Sequence, residues 1–357
     1  MTPSLSIVIP VRDQAPRLRL TLAALERQAG IEPDDYEVIV VDDDSSDDPR
    51  AVVSAAQRGA PYALTMASCK SGGGRGLPRN VGAAAARGSL LVFLDGDALP
   101  GRRLLASHGA SASPGRLVLG DIYVLPGTEQ LLDPGDGTPV RWAHPADPLI
   151  LPVAAVRDGI ADASLMAHAL KGCYPRQAAW QRQLEDLLVT GGASFAWTGV
   201  IPHNLSMPRE VFERLGGFDP TLRHSEGWEL GIRALRAGYS AGWASEARSF
   251  HLYHARNEAR AEANVAEARG VLLAKYPDLP LDVVELWFVA AQGHPYVPAE
   301  LGLGAWRDVE RILADPGRRA ECRWLRREWA RARRPLSALD YRLHAALNRP
   351  RPPAHTP

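Results

Sequence analysis

Two acidic side chains, Asp95 and Asp97, stand one residue apart directly after the apolar run 89–94. The intervening Gly96 allows backbone and ligand to approach closely. Paired carboxylates on such a turn suit a hard divalent cation, Mn²⁺ or Mg²⁺, which also binds phosphate oxygens. An ordinary solvated acidic turn has the same composition, so the meaning of the pair depends on what surrounds it.

A second acidic group, residues 42–48, follows another strand-like run, residues 36–41. Ligands of open parallel sheets bind beyond the carboxyl ends of the strands. If both runs are neighbouring strands, their acidic turns lie at one edge of the sheet, and the sequence predicts a binding site there. A helix-capping cluster is the alternative interpretation of residues 43–48.

The first hundred residues alternate between strand-like and helix-like segments. The predicted strands are 5–11, 36–41, 62–67 and 89–94, and the predicted helices are 16–29, 50–58 and 78–87. This rhythm predicts an α/β fold with a mostly parallel, doubly wound sheet.

Further along, the pattern is less regular. Strands are predicted over 116–125 and 240–250, and helices over 176–188, 208–215, 224–237 and 255–274. Residues 126–152 form a long segment rich in Pro, Gly and Asp. We expect a domain over 1–254, divided into halves 1–110 and 111–254, and a helical, Arg-rich C-terminal extension over 255–357.

The composition excludes several classes of protein. The chain has 357 residues, 46% of them hydrophobic, and its 41 basic residues balance 41 acidic ones. A neutral chain is not a uniform binder of nucleic acid or anionic membrane. Three scattered cysteines exclude a disulfide framework or a cysteine-based zinc site. With no signal peptide or apolar span in the sequence, we expect a cytoplasmic location.

Four segments in this order resemble the family 2 glycosyltransferases with the type-A nucleotide-binding fold: SIVIPVRDQ, VIVVDDDSSDD, RNVGAAAARG and LLVFLDGDALP. The resemblance covers about the first hundred residues well and residues 197–254 more loosely. It implies a bacterial-type enzyme that moves a hexose from a nucleotide-diphosphate sugar, most often UDP-linked, to an acceptor hydroxyl. On this resemblance, 1–110 is the nucleotide-binding half and 111–254 the acceptor half.

The resemblance also implies roles for individual residues. The nucleotide would contact Pro10, Arg12, Asp42, Asp43, Arg79 and Asp95, while Asp97 would bind the metal. A later His, His251 or His254, would complete the metal site, and a purely structural histidine is the alternative for each. Trp197, His203, Asn204 and Trp228 would line the acceptor or sugar side, although a buried core Trp is an equal alternative for Trp197.

The catalytic base is expected near residue 226. Glu226, Glu229, Leu230 and Arg233 fit the family pattern, but Gly227 stands where the family commonly has Asp. Glu226 is therefore the first candidate base and Glu229 the second, with an i,i+4 ion pair to Arg233 as the alternative role of Glu229. A carboxylate base at this point implies inversion at the anomeric carbon, and a retaining reaction is the less favoured outcome.

Two other functions are weighed against a transferase. A sugar-nucleotide pyrophosphorylase would carry a glycine-rich stretch after the first strand, where this chain has residues 12–15 (RDQA). An inactive nucleotide-sugar-binding or scaffold protein would keep the fold without turnover.

The tail hides a charge asymmetry. Residues 318–351 hold eleven Arg against three acidic residues, a net charge of +8 that the rest of the chain balances. This tail can contact an anionic membrane or a lipid-linked acceptor, or form an amphipathic helix packed on the core, which we favour. No nucleic-acid recognition motif accompanies it.

Overall fold

The structure is a computed structural model that describes residues 4–125, 176–177, 179–190, 194–252, 258–291, 303 and 305–331. It divides into two compact units, Met1–Ala255 and Arg256–Pro357. Over its described residues, the first unit contains a nine-stranded sheet, whose strands are numbered in chain order below.

The first half of the sheet is parallel and carries helices between its strands. Its elements are β1 (Leu5–Val11), α1 (Ala15–Leu25), β2 (Tyr36–Asp43), α2 (Pro49–Gln57), β3 (Ala63–Cys69), α3 (Gly76–Ala85) and β4 (Leu90–Leu94). The strands β3, β2, β1 and β4 pair side by side in one direction. The turns after β1, β2 and β4 therefore open at one edge of the sheet.

The second half is mixed in direction. Its elements are β5 (Ala98–Pro100), α4 (Leu104–Ser111), β6 (Arg116–Leu125), β7 (Arg176–Gln177), α5 (Ala179–Thr190), β8 (Asn204–Pro208), α6 (Arg209–Arg214), α7 (Glu226–Arg236) and β9 (Ser240–Leu252). Strand β8 runs antiparallel to both β4 and β6, while β9 is parallel to β6 and antiparallel to β5. Over the described residues, the strand order of the whole sheet is β3-β2-β1-β4-β8-β6-β9-β5, with β7 paired to β6.

Apolar side chains bury both faces of the sheet. On one face, Ile7 and Ile9 of β1 join Leu18 and Leu22 of α1 in a buried cluster. On the other face, Val8 belongs to a second cluster, which also contains Phe93. Because neighbouring residues of a strand point to opposite faces, an uninterrupted apolar run such as 7–11 (IVIPV) fits a strand covered on both sides.

The second unit is helical over its described residues. It contains α8 (Glu258–Lys275), α9 (Leu281–Ala291), α10 (Trp306–Ala314) and α11 (Pro316–Arg331). Glu285 is buried on α9 and accepts hydrogen bonds from Arg269 of α8 at 3.0 Å and Arg326 of α11 at 2.8 Å. Of the helices in the described residues, none combines the length and apolarity that crossing a membrane would require.

The predicted α/β fold with a helical C-terminal region is confirmed. The expectation of a mostly parallel sheet holds for β3, β2, β1 and β4, whereas the second half contains antiparallel pairs. Strand β8 was not predicted, because its five residues include Asn204 and Pro208 and follow a segment rich in small residues. Residues 126–152 and the candidate ligand His254 lie outside the described residues.

Candidate functional site

The turn after β4 places Asp95 and Asp97 at the edge of the sheet, where the turns after β1 and β2 also open. Gly96 between them fits because a Cβ there would lie only 2.7 Å from Cγ1 of Val11. The Gly96 carbonyl also accepts a hydrogen bond from Thr21 of α1 at 2.9 Å. Helix α1 thus fixes the turn that carries both carboxylates, through the hydrogen bond from Thr21 to the Gly96 carbonyl.

Asp95 lies between a guanidinium and an imidazole. Its Oδ1 is 2.7 Å from Nη2 of Arg79, and its Oδ2 is 3.1 Å from Nδ1 of His203. Burial alone would raise the pKa of Asp95, but the positive charge of Arg79 and the hydrogen bond from His203 hold it well below its usual value. These two neighbours therefore favour the charged carboxylate of Asp95.

Asp97 is almost completely buried and faces the second half of the sheet. Its Oδ2 accepts a hydrogen bond from Gln14 at 3.0 Å and lies 3.4 Å from Nε2 of His251. The pairing of β5 with β9 sets Ala98 opposite His251, which explains why this histidine reaches Asp97. The rings of His203 and His251 meet edge to face, with centroids 5.0 Å apart.

Asp95, Asp97 and His203 have the geometry of a metal site. One ligand atom from each lies within 4.8 Å of the others. Among the described residues, the buried Nε2 of His203 has no hydrogen-bond partner. A buried nitrogen without a partner is costly, and an imidazole that donates Nδ1–H to a carboxylate presents Nε2 as a metal ligand. The donor set of two carboxylates and one imidazole fits Mn²⁺ or Mg²⁺.

Arg79 connects this group to Glu226. Its Nη1 is 2.9 Å from Oε1 of Glu226, the first residue of α7, and also donates to the Arg75 carbonyl at 3.0 Å. Both members of the Arg79–Glu226 pair are buried. Glu226 and Asp95 are therefore fixed on either side of one guanidinium.

The next position, Gly227, has no room for a side chain. A Cβ there would lie 2.3 Å from the Val200 carbonyl oxygen and 2.5 Å from Cδ of Pro202. The carboxylate that the family commonly carries at this position has no space in this chain. The candidate base of α7 that contacts the site is Glu226.

On the nucleotide side, Asp42 and Asp43 end β2 in different surroundings. Asp43 is buried and accepts two hydrogen bonds from Ser71, at 2.7 Å from its amide and 2.5 Å from its hydroxyl. Arg12 lies 3.6 Å from the same carboxylate. Asp42 is half-buried and accepts a hydrogen bond from the Ser45 amide at 3.1 Å. Pro10 sits beside them, paired with Val41 across the two strands.

Hydrogen bonds tie the turns after β1 and β2 to each other. Asp13 accepts bonds from the amide and hydroxyl of Ser46 at 2.6 and 2.7 Å, and its own amide donates to Ser45 at 3.1 Å. Asp13 has φ of 55°, a left-handed conformation that Asp tolerates better than most residues. We call this group, Asp13 with Ser45 and Ser46, the turn latch.

Several predicted residues lie in the protein interior. Both oxygens of Glu229 pair with Arg233, which in turn binds the carbonyls of Leu215 and Gly217. Trp197 is 2% exposed and packs edge to face on Trp228 at 5.3 Å. The latter indole is half-buried and donates to the Thr198 carbonyl. Asn204 is fully buried among hydrogen-bond partners on neighbouring strands.

Sequence reasoning missed three contributions to this site. His203 was placed on the sugar side, but the structure brings it to Asp95 and Asp97. Gln14 and Arg17 were not considered; burial lowers the pKa of the Arg17 guanidinium, and the charge of Asp97 opposes that shift. The available signal for His203 was its position immediately before β8, which becomes informative only once β8 is known to pair with β4.

Comparison with known proteins agrees with the fold. Residues 6–124 match the family described as "Glycosyl transferase family 2". The resemblance found in the sequence is thereby confirmed over this part of the chain.

Curated relatives extend the similarity further along the chain. The chain is 30% identical over 287 residues to a validoxylamine A glucosyltransferase of Streptomyces hygroscopicus subsp. limoneus, covering 74% of this chain and 54% of the relative. A protein of the same name from subsp. jinggangensis is also 30% identical and is covered to 58%. The chain thus spans a little over half the length of these relatives.

Among solved structures, the chain is similar to a mannosyltransferase from Pyrobaculum calidifontis in complex with GDP-Man and Mn²⁺. The TM-score is 0.48 and the sequence identity 18%, over 97% of this chain and 81% of that one.

Proposed function

We propose that this chain, which carries a glycosyltransferase family 2 segment over residues 6–124, transfers a hexose from a nucleotide-diphosphate sugar to an acceptor hydroxyl. The observation that carries this proposal is the group formed by Asp95, Asp97 and His203 at the carboxyl end of β4. In a sheet of this kind, that edge is where a nucleotide ligand binds.

The proposed metal is Mn²⁺ or Mg²⁺, held by Asp95, Asp97 and His203. When bound, it supplies Lewis acidity that stabilises the negative charge developing on the departing diphosphate. The chain's own contribution is to keep the ligands fixed: Gln14 and His251 hold Oδ2 of Asp97, and Arg79 holds Oδ1 of Asp95.

The proposed nucleotide site lies at the ends of β1 and β2. Asp42 carries the more accessible carboxylate and can accept hydrogen bonds from a base or ribose, whereas Asp43 is already engaged by Ser71. Arg12 and Pro10 complete this edge of the site. We propose a UDP-linked donor, in keeping with the family resemblance.

Glu226 is the proposed base. Its carboxylate takes the proton of the acceptor hydroxyl as that oxygen forms a bond to the anomeric carbon. The bond from the anomeric carbon to the diphosphate oxygen breaks at the opposite face, and the configuration inverts. Arg79 positions Glu226 and balances its charge, because one guanidinium is shared between Glu226 and Asp95.

Turnover by the purified chain tests this function. Release of nucleoside diphosphate would be measured with UDP-glucose, other UDP-sugars and GDP-mannose, with and without Mn²⁺. Because the curated relatives are named validoxylamine A glucosyltransferases, validoxylamine A with UDP-glucose is the first acceptor and donor pair to test.

The matched variants are Asp97→Asn and Asp34→Asn, since Asp34 is exposed and lies outside the site. Asp97→Asn should lower turnover about 100-fold or more, because the metal loses an anionic ligand. Asp34→Asn should retain it. Nucleotide-sugar binding without turnover across the whole panel would contradict the transferase and support a binding or scaffold protein.

We also propose peripheral contact between α11 and an anionic membrane. Trp324 is 56% exposed, and Arg323 and Arg327 are exposed on the same helix. A Trp between arginines suits the interface of an anionic bilayer. The opposite side of α11 packs within the C-terminal unit through Cys322 and Arg326.

Vesicle co-sedimentation tests this contact. The full chain should pellet with phosphatidylglycerol vesicles and less with phosphatidylcholine vesicles. Arg323→Gln combined with Arg327→Gln should reduce pelleting several-fold, while Arg58→Gln, an exposed arginine of α2's C-terminus, should not. Equal pelleting of all variants would contradict the proposal.

A further inference from the structure

We propose that Asn204 and His108 are positioning residues whose buried hydrogen-bond network fixes two imidazoles. One is that of His203 in the metal group (Asp95, Asp97 and His203), and the other is that of His251 beside Asp97. This inference rests on the metal-dependent function proposed above. Neither Asn204 nor His108 contacts the metal group itself; both act through the strands that carry the histidines.

Asn204 is the centre of the network. It follows His203 in the chain and has no exposed surface. Its amide nitrogen donates to the Ala247 carbonyl at 2.7 Å and lies 3.1 Å from Oγ of Ser249. Both partners belong to β9, a few residues before His251. One side chain therefore ties the residue next to one imidazole to the strand that carries the other.

His108 fixes the orientation of the Asn204 amide. Its Nε2 lies 2.8 Å from Oδ1 of Asn204, and its Nδ1 lies 2.9 Å from Oγ of Ser206. Because an amide oxygen only accepts, Nε2 must donate and Nδ1 accepts from the Ser206 hydroxyl. The imidazole spans two residues of β8 that point to the same face, so it holds this strand end from α4.

The backbone of β6 leaves room for the Asn204 side-chain amide. At Gly120 of β6, a Cβ would lie 2.3 Å from the Asn204 nitrogen. The register between β6 and β9 shifts at the step from Gly120 to Asp121. Strand bulges of this kind commonly redirect side chains next to functional sites. Three strands, β6, β8 and β9, thus converge on one buried amide.

This network differs from an ordinary buried polar contact because it adjoins the two histidines that lie beside Asp95 and Asp97. Asn204 adjoins His203, whose Nε2 is a candidate ligand atom, and its β9 partners lead to His251, which faces Asp97. Loss of the amide would free both imidazoles to rotate or shift. Residues that hold metal-binding histidines in place set the orientation of their rings. Removing such residues commonly lowers metal affinity by roughly 10–100-fold.

Mn²⁺ binding, measured by electron paramagnetic resonance without any turnover, tests the inference. His108→Phe keeps the ring volume but removes both nitrogens, and should weaken Mn²⁺ affinity about tenfold. It should also weaken the ¹⁴N coupling that a ligating imidazole gives to Mn²⁺. His108→Gln can still donate to Asn204 and accept from Ser206, and should restore most of the affinity. Ser206→Ala removes only the outer hydroxyl and should weaken binding about two- to threefold.

Ser6→Ala is the matched control. Ser6 is fully buried and binds Glu37 at 2.7 Å and the Gly88 amide at 2.8 Å, at the opposite ends of the strands from the metal group. It should lose a buried hydrogen bond without changing Mn²⁺ affinity. Ser206→Ala keeps the test decisive if His108→Phe does not fold.

The outcomes separate this inference from the proposed function. Wild-type Mn²⁺ affinity in both His108→Phe and Ser206→Ala would overturn the inference, as would an equal loss in Ser6→Ala. Tight Mn²⁺ binding by a wild-type chain that never releases nucleoside diphosphate would overturn the transferase alone. Failure of the wild-type chain to bind Mn²⁺, with or without UDP, would overturn both.

Discussion

The two halves of the sheet hold their functional side chains in different ways. In the parallel half, the turns after β1 and β2 are bound to each other at the surface by the turn latch. In the mixed half, His203 and His251 depend on a polar network buried between β6, β8 and β9. A latch at the surface can be altered with little effect on the core, whereas a buried network cannot, because its partners have no water to replace them.

Arg79 joins the two halves, and the sharpest way to test that junction is to compare two glutamates of α7. Glu226→Gln should lower turnover by about 10²–10⁴-fold, because the proposed base can no longer accept a proton. Glu229→Gln should change turnover little but lower the free energy of unfolding by about 2 kcal/mol, because Arg233 loses a largely buried partner. Steady-state rates and urea unfolding of both variants measure this. A larger loss of turnover in Glu229→Gln would reverse the assignment of the base.

The buried network of the mixed half should also make the stability of the folded chain depend on pH. Burial lowers the pKa of His108 from 6.5 to about 4. Between these values the unfolded chain takes up a proton that the folded chain does not, so stability present above pH 6.5 is lost as the pH falls toward 4. The loss amounts to at most about 3 kcal/mol.

Urea unfolding of wild type and His108→Gln between these pH values checks this. The variant should lose less stability on acidification, since it lacks the titrating group. Identical pH profiles would show that His108 does not titrate differently in the folded and unfolded chains.

The turn latch should give the smallest effect. Asp13→Ala removes the acceptor of two Ser46 hydrogen bonds and places Ala at a left-handed φ, which should raise the KM for the donor several-fold and cost about 1 kcal/mol of stability. Asp13→Asn keeps an acceptor and the tolerance for this φ, and should behave like wild type. The turn latch includes Ser45, whose amide binds Asp42. An unchanged donor KM in Asp13→Ala would therefore show that the turn latch does not position Asp42 for the donor.

The same contrast explains what the sequence could predict. Strands 5–11 and 116–125 were predicted with the bounds that the structure shows, because apolar and β-branched residues dominate each segment. Asp95 and Asp97 were placed correctly at a strand end, since they directly follow such a run. These features depend on neighbouring residues in the chain.

The position of His203 beside Asp95 and Asp97 could not be predicted in this way. It depends on β8 entering the sheet antiparallel between β4 and β6, which brings together residues more than a hundred positions apart. The Arg79–Glu226 pair spans 147 positions for the same reason. Strand pairing of this kind is determined by tertiary packing. The five residues of β8 show little periodicity, so their sequence does not predict the pairing.

The crowding at Gly227 limits how this chain can change. Any side chain there would meet the Val200 carbonyl, which is backbone and cannot be mutated away, as well as the ring of Pro202. A single substitution of Gly227 by Asp would therefore force the backbone of residues 200–202 to shift and would destabilise the fold. Accommodating the Asp that family 2 glycosyltransferases commonly carry at this position would have to begin with a change in the 200–202 segment. Without such a shift, Glu226, held by Arg79, is the carboxylate of α7 that this backbone can present at the proposed site.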